Sequence, residues 1–357
     1  MVAHHSKDLT PLINLSARIG RQPLLVQGST GNTSIKVGKT LWIKASGKWL
    51  VNAAREEMFV PVSIADAEMH LSDSFRALAS ESTAYLQPSI ETAMHLMLPH
   101  RVVIHVHSVN TIAWAVQRAI PPTLHRRLDG LSWCWIPYTP SGAPLARKIR
   151  AALHLSPDVF VLANHGLVIA GDSCESAESR LLEVEDRLSI VPRPIPKPDL
   201  ANLEQLAASS EFQLPDGPEI HALGTDAMCT SLVSAGVMFP CQAMFLGRYT
   251  CVLYNGDSVP RLVRQYEAHN GFRPPAILVP GHGVLVARDL TDTESEMLCG
   301  LSQLVRRVPP GANVSYLSDI AVAELMSTYA VSYGRSITSY RSEGAGEVPQ
   351  QSARGAQ

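Results

Sequence analysis

Three histidines carry the chemistry open to this sequence. His105 and His107 stand in Val102-Val103-Ile104-His105-Val106-His107-Ser108, and His165 stands in Leu162-Ala163-Asn164-His165-Gly166. Alternate residues of a strand face the same way, so His105 and His107 project together from one strand end. Three neutral imidazoles with one labile position, or three with an added carboxylate, suit a catalytic zinc or similar divalent ion. Taken singly, each reads equally as a core or surface histidine; the neighbouring segments favour the metal site.

Those segments lie in the same half of the chain. Gly28-Ser29-Thr30-Gly31-Asn32-Thr33-Ser34 is a glycine turn whose backbone can approach an oxyanion. It lacks GxGxxG spacing and a clear preceding strand, which argues against a dinucleotide site and a dehydrogenase. Lys44-Ala45-Ser46-Gly47 adds a hydroxyl and a cation. Lys44 contacts an anion if its strand face points inward, and is a solvent-facing charge if it does not. In Pro88-Ser89-Ile90-Glu91, Ser89 fits a helix N-cap and Glu91 a first-turn acid favoured by the helix dipole.

The elements that must position these groups follow from periodicity. Residues 40–44, 102–106 and 158–163 read as strands. Residues 90–98 read as a short helix with Pro99 near its end. Ala177, Leu181, Val184 and Leu188 recur at helical spacing within an amphipathic helix over 174–188. Prolines at every second position from Pro192 to Pro198 cannot continue a helix and predict an extended spacer. The expected division is a first domain over 1–190, a Pro-rich linker over 191–199, a second α/β domain over 200–340 and a flexible tail over 341–357.

The second unit echoes the first. Residues 276–289 parallel 159–172, with a shared His-Gly and an acidic helical pattern after each. The echo lacks an HxH pair, so His282 is expected to be a structural remnant or interface residue. The second unit would then cap the catalytic half or supply a surface between subunits.

Composition bounds the function class. The chain is 46% hydrophobic and 17% charged, enough for a real core. Thirty Lys+Arg against 32 Asp+Glu leave a formal charge of -2, so no strong field draws in nucleic acid or an acidic membrane. No apolar run approaches the roughly twenty residues needed to span a bilayer. Residues 1–8 lead into no secretory apolar core. Six cysteines without CxxC spacing suit a reduced compartment, and the cytoplasm is the expected location.

Taken in order, the segments 28–34, 44–47 and 88–91, the His105/His107 pair and Asn164-His165-Gly166 resemble the class II aldolase/adducin family over residues 10–190. Trp42-Ile43-Lys44-Ala45-Ser46-Gly47 is similar to its longer members, such as rhamnulose-phosphate aldolase regions of bifunctional proteins. The resemblance implies a three-layer α/β/α sandwich with a central, mainly antiparallel sheet of nine strands, plus a smaller related α/β domain. It also implies metal binding by His105, His107 and His165, and acid/base chemistry by Glu91, which can ligate the empty metal. Gly31, Asn32, Ser46, Gly47 and Ser89 match its phosphate or carboxylate cradle, to which Lys44 is added as a substrate-binding residue. Zinc is the first choice of metal, with manganese or cobalt in its place. Family aldolases place active sites near subunit interfaces of cyclic tetramers, so a homo-oligomer is expected.

The expected function is that of a carbon–carbon lyase in carbohydrate metabolism. It would cleave a small polyhydroxylated carbonyl compound, with or without a phosphate, through a metal-bound enediolate. Alternatives are a decarboxylase or epimerase of a sugar acid or sugar phosphate, and a noncatalytic adducin-like interaction protein. Departures bear on the substrate. Family aldolases commonly have Thr-Pro-Ser-Gly at 44–47, and two serines where this chain has Ser89-Ile90. Ile90 removes a hydroxyl donor and weakens the case for a standard phosphorylated deoxysugar. The segment from Glu91 to His105 is also shorter than in the small aldolases.

Other residues have two readings. His125-Arg126-Arg127 is expected in a loop after Pro121-Pro122, with Arg127 a surface charge or an anion contact across an interface. His95 lies one turn from Glu91, as a second contact or a helix-surface residue. Tyr138 is a loop-packing residue or a proton donor, and Trp133, Cys134 and Trp135 suggest packing or an oligomer contact. His4 and His5 read as a mobile end.

Overall fold

The structure is a computed structural model that describes residues 9–65, 86–208, 210–254 and 256–333. His4, His5 and the expected tail over 341–357 lie outside the described residues.

The larger sheet has seven strands in the order β3-β2-β1-β4-β7-β6-β5. They are β1 Asn32–Val37, β2 Thr40–Lys44, β3 Phe59–Ser63, β4 Val102–Val106, β5 Trp133–Ile136, β6 Val159–Leu162 and β7 Gly166–Gly171. Every neighbouring pair is antiparallel except β5 and β6. The nine strands implied by the family resemblance are seven among the described residues.

Strand alternation builds the layers. On β4, β6 and β7, residues Val102, Ile104, Val159, Val161, Leu167 and Ile169 face one core. The helices Thr10–Gly20 and Cys174–Leu188 pack there through Leu12, Leu15, Leu181 and Val184. Val103, Phe160, Leu162 and Val168 face the opposite side, covered by Met94 of the helix Thr92–Met97 and by Leu145 and Ile149 of the helix Ala143–Ala152. Helix, sheet and helix make the three layers.

A second sheet has four strands in the order β8-β11-β10-β9, with β8 Phe212–Gln213, β9 Cys251–Val252, β10 Ala276–Val279 and β11 Gly283–Ala287. Its pairing repeats that of the first. β10 and β11 form an antiparallel hairpin closed at Val279↔Gly283, as β6 and β7 close at Leu162↔Gly166. β9 runs parallel to β10, as β5 does to β6. Each hairpin leads to a helix with a capping box, Ser173/Ser176 in one and Thr291/Glu294 in the other. β8 takes the place of β4 but is two residues long and carries no histidine.

The halves share a core. Val109, Ile112, Ala113 and Val116 pack with Leu298, Leu301, Val305 and Phe239. Residues 191–199 form neither helix nor strand. They are pinned by Arg193, whose guanidinium donates to Asp226 and to the carbonyls of Val305, Arg306 and Val308.

One local expectation fails. Residues 125–127 are not loop but the end of the helix Pro122–Arg127. Pro122 opens it, where its fixed φ and missing N–H cost nothing.

Candidate active site

β4 runs through the middle of the sheet, and its end delivers His105 and His107 to one point. Their Nε2 atoms are 3.1 Å apart. His165 arrives from the β6–β7 turn, where Asn164 holds a left-handed φ of 52°. Asparagine tolerates that conformation better than most residues. The turn lies close against β4: a Cβ on Gly166 would sit 2.5 Å from the carbonyl oxygen of Val106.

The three rings stack edge to face, with centroids 4.9 to 5.2 Å apart. One donor atom from each lies within 4.8 Å of the others. The carbonyl of Leu167 accepts from Nδ1 of His105 at 3.0 Å, which leaves Nε2 with its lone pair. With the proton of each ring on Nδ1, two Nε2 lone pairs 3.1 Å apart repel one another unless a proton or a metal ion lies between them. Buried nitrogen donors converging in this way, with a carboxylate next to them, fit a divalent ion of the zinc type.

That carboxylate is Glu91, the residue before the helix Thr92–Met97. Its Oε2 is 3.2 Å from Nε2 of His105, and its Oε1 is 3.2 Å from Nε2 of His165. Asn32 Nδ2 donates to Oε2 at 2.8 Å, and the Ser141 hydroxyl to Oε1 at 3.2 Å. Burial by itself would raise the carboxyl, but when His105 and His165 carry protons on Nε2 their charges and hydrogen bonds outweigh it and hold Glu91 well below the usual range. Burial, then the neighbouring His105 and His165, keep His107 well below the usual histidine value.

Glu91 is not a first-turn acid, and Ser89 is not the residue that caps the helix. Instead the Ser89 hydroxyl accepts from the Glu91 N–H and from Asn32 Nδ2, at 3.2 and 3.1 Å. Ser89 and Asn32 thus hold Glu91 from both sides.

Gly31, Asn32, Lys44, Ser46, Gly47 and Ser89 all line one cleft with Glu91, His107 and His165. Gly31 has φ 65°, and a Cβ there would lie 2.9 Å from the His105 carbonyl oxygen. Ser46 donates to the Pro88 carbonyl at 3.3 Å. Lys44 faces inward: it is 2% exposed and donates to the Ser29 carbonyl at 2.9 Å. Burial lowers its ammonium to about 7, against the attraction of Glu91. Among the described residues that line the cleft, Lys44 is the sole lysine or arginine. The opposite wall is apolar and comes from the second half, as Pro240, Cys241, Met244, Phe245 and Leu325.

Other candidates stand elsewhere. Arg127 donates to the carbonyls of Arg187 and Ser189 and lies over the Trp114 ring. His125 lies tilted against the Trp133 ring, and Cys134, on β5, is buried in the core. Tyr138 packs with Val237, Leu317 and Leu325. His282 pairs with Asp199 at 3.0 Å. His95 joins the site: its Nε2 is 2.5 Å from Asn32 Oδ1 and its Nδ1 2.7 Å from the Ser34 hydroxyl. Ser34, Cys241 and Ser141 also belong to the site and are not among the residues to which the sequence points. No local pattern marks them, because their partners are 61, 134 and 50 residues away.

The Class II Aldolase and Adducin N-terminal domain family matches residues 12–191. Among curated proteins, the uncharacterized oxidoreductase YuxG of Bacillus subtilis (strain 168) is 24% identical over 201 residues, covering 50% of this chain and 28% of that protein. The chain therefore spans under a third of that relative. The N-terminal class II aldolase domain of a conserved Thermoplasma acidophilum protein is 24% identical, with a TM-score of 0.46 over 51% of this chain and 92% of that one. An L-fuculose 1-phosphate aldolase is 20% identical, with a TM-score of 0.40 over 59% of this chain and 92% of that one.

Proposed function

The chain belongs to the class II aldolase and adducin family, and from that premise we propose that it is a metal-dependent carbon–carbon lyase acting on a small polyhydroxylated carbonyl compound. The observation that carries the reading is Glu91, set 3.2 Å from both His105 and His165 at the edge of a cleft lined by serines, Asn32 and Lys44. A damaged, noncatalytic member would not be expected to keep three converging histidines and a buried carboxylate together.

His105, His107 and His165 would hold the ion, zinc first, with manganese or cobalt in its place. When bound, such an ion supplies an electrophile that takes up negative charge as a carbon–carbon bond breaks. The remaining work falls to the protein. Glu91 carries a proton to or from the reacting carbon, and Asn32 and Ser141 keep its carboxylate aimed. Gly31, Asn32, Ser46, Gly47 and Ser89 receive the oxyanion end of the substrate, with Lys44 as counter-charge. The apolar wall from the second half excludes water from the reacting end.

Lys44 and Ile90 favour a second reading of the same site. One buried ammonium, with an apolar Ile90 beside Ser89, suits a carboxylate better than a phosphate dianion. A sugar acid losing carbon dioxide would leave the same carbanion as aldol cleavage does, and epimerisation would rejoin the fragments. We place the protein in the cytoplasm as a homo-oligomer. We also propose residues 1–190 as the catalytic domain, 191–199 as a linker and 200–340 as a degenerate copy.

The test is metal content by elemental mass spectrometry, followed by a cleavage screen over sugar phosphates and sugar acids. About one transition metal per chain, lost in a His105→Ala/His107→Ala double variant, with aldehyde or carbon dioxide release, supports the reading. No metal in either protein, and none taken up on adding zinc, manganese or cobalt, removes it in favour of an interaction module.

A further inference from the structure

We propose that the second half of the chain positions the metal-binding histidines: Cys241 orients His107, and the carbonyls of Met238 and Ser315 hold the Asn164 turn that presents His165. The inference rests on the reading that these histidines bind a metal.

Two separate contacts carry it. The first is at His107, whose Nε2 faces His105 while its Nδ1 points away, 3.4 Å from Cys241 Sγ. If Nε2 keeps its lone pair for a metal, Nδ1 carries the proton and donates it to sulfur. Leu167, of the same half, does this for His105, whereas the partner of His107 comes from the helix Pro240–Leu246. That helix packs through Phe245 and Leu246 into the core shared by both halves, which keeps the sulfur in place.

The second contact is at Asn164. Its side-chain nitrogen donates to Met238 O and Ser315 O, both at 2.8 Å. Both amide hydrogens are therefore used on two segments of the second half. The backbone turn does not need this side chain. In the echo hairpin Gly281 occupies the same place with φ 80°, and its N–H donates to Gly224 O as the Asn164 N–H donates to Ala115 O. Glycine suffices for the turn, so the asparagine amide at 164 serves to tie the turn beside His165 to the second half.

Groups that orient metal-ligating histidines typically change metal affinity about 10- to 100-fold when removed. The experiment compares wild type with Asn164→Gly, Cys241→Val and Cys241→Ser by cobalt titration against a competing chelator, recording the visible cobalt spectrum. Circular dichroism of the metal-free proteins checks the fold. Asn164→Gly keeps the positive-φ residue and removes the tie; Cys241→Ser keeps an acceptor.

The proposal expects Asn164→Gly and Cys241→Val to fold, to bind cobalt about 10-fold or more weakly, and to show an altered visible spectrum, with Cys241→Ser near wild type. Folded variants with wild-type affinity and spectrum overturn it. An intense near-ultraviolet thiolate band in the wild type, absent from Cys241→Ser, would make Cys241 a ligand and also overturn it. If Asn164→Gly unfolds, the two Cys241 variants decide. A wild type that binds no cobalt sinks the metal reading itself, and the inference with it.

Discussion

His95 Nε2 lies 2.5 Å from Asn32 Oδ1, and this contact decides which way the Asn32 amide faces. An amide oxygen only accepts, so Nε2 carries the proton, and Nδ1 accepts from the Ser34 hydroxyl at 2.7 Å. The amide nitrogen is thereby turned to Glu91 and Ser89. Burial, then the nearby His105, lower His95 to about 3, which keeps the ring neutral at working pH. We expect His95→Ala to lower kcat about 10- to 100-fold while metal content stays near wild type. Unchanged kcat would show that Asn32 is held without His95.

Glu91 is the group proposed for proton transfer. Glu91→Gln preserves shape and removes the exchangeable charge, so most of the metal should remain. Loss of a positioned acid or base costs typically about 10²- to 10⁴-fold in rate. Turnover measured on the true substrate checks this; a rate equal to wild type would take Glu91 out of the mechanism.

Lys44 predicts a pH dependence for anion binding. Its ammonium is charged below about 7 and neutral above, so affinity for a carboxylate or phosphate inhibitor should fall as pH rises through about 7. The folding contribution runs the other way. Between about 7 in the fold and about 10.4 unfolded, the unfolded chain binds a proton that the folded chain does not. Stability from this group therefore rises with pH across that window and is least below it. Calorimetry with a small hydroxycarboxylate, whose own charge is constant across this range, at several pH values beside Lys44→Met measures the first effect. The variant should bind weakly with a flat profile.

Gly166 predicts a packing limit. An added Cβ meets the Val106 carbonyl oxygen at 2.5 Å, and backbone cannot move aside as a flexible side chain does. Gly166→Ala should lower Tm and displace His165 from the other two rings, read as reduced uptake of added divalent metal. Overpacking of this kind typically costs about 1–3 kcal/mol. A Tm and metal uptake equal to wild type would mean that β4 and the turn have slack.

The parts of this protein that the sequence determines are those set by short-range periodicity. His105 and His107 are two apart on a strand, so strand geometry alone brings their rings together. The helix Cys174–Leu188 was legible from its apolar spacing, and the echo at 276–289 from the repeated His-Gly and trailing acidic helix. The order of motifs likewise carried the family resemblance. Tertiary structure decided what depends on which distant surface covers a residue. Lys44 could have faced solvent; β2 turns it into the cleft, where burial changes its charge. Arg127 could have met a substrate; its Nη1 instead donates to the carbonyls of Arg187 and Ser189 at the end of Cys174–Leu188. Cys241 reaches His107 across 134 residues, and Asn164 reaches Ser315 across 151. Such contacts come from the shared core of the two halves, a long-range packing that no local pattern encodes.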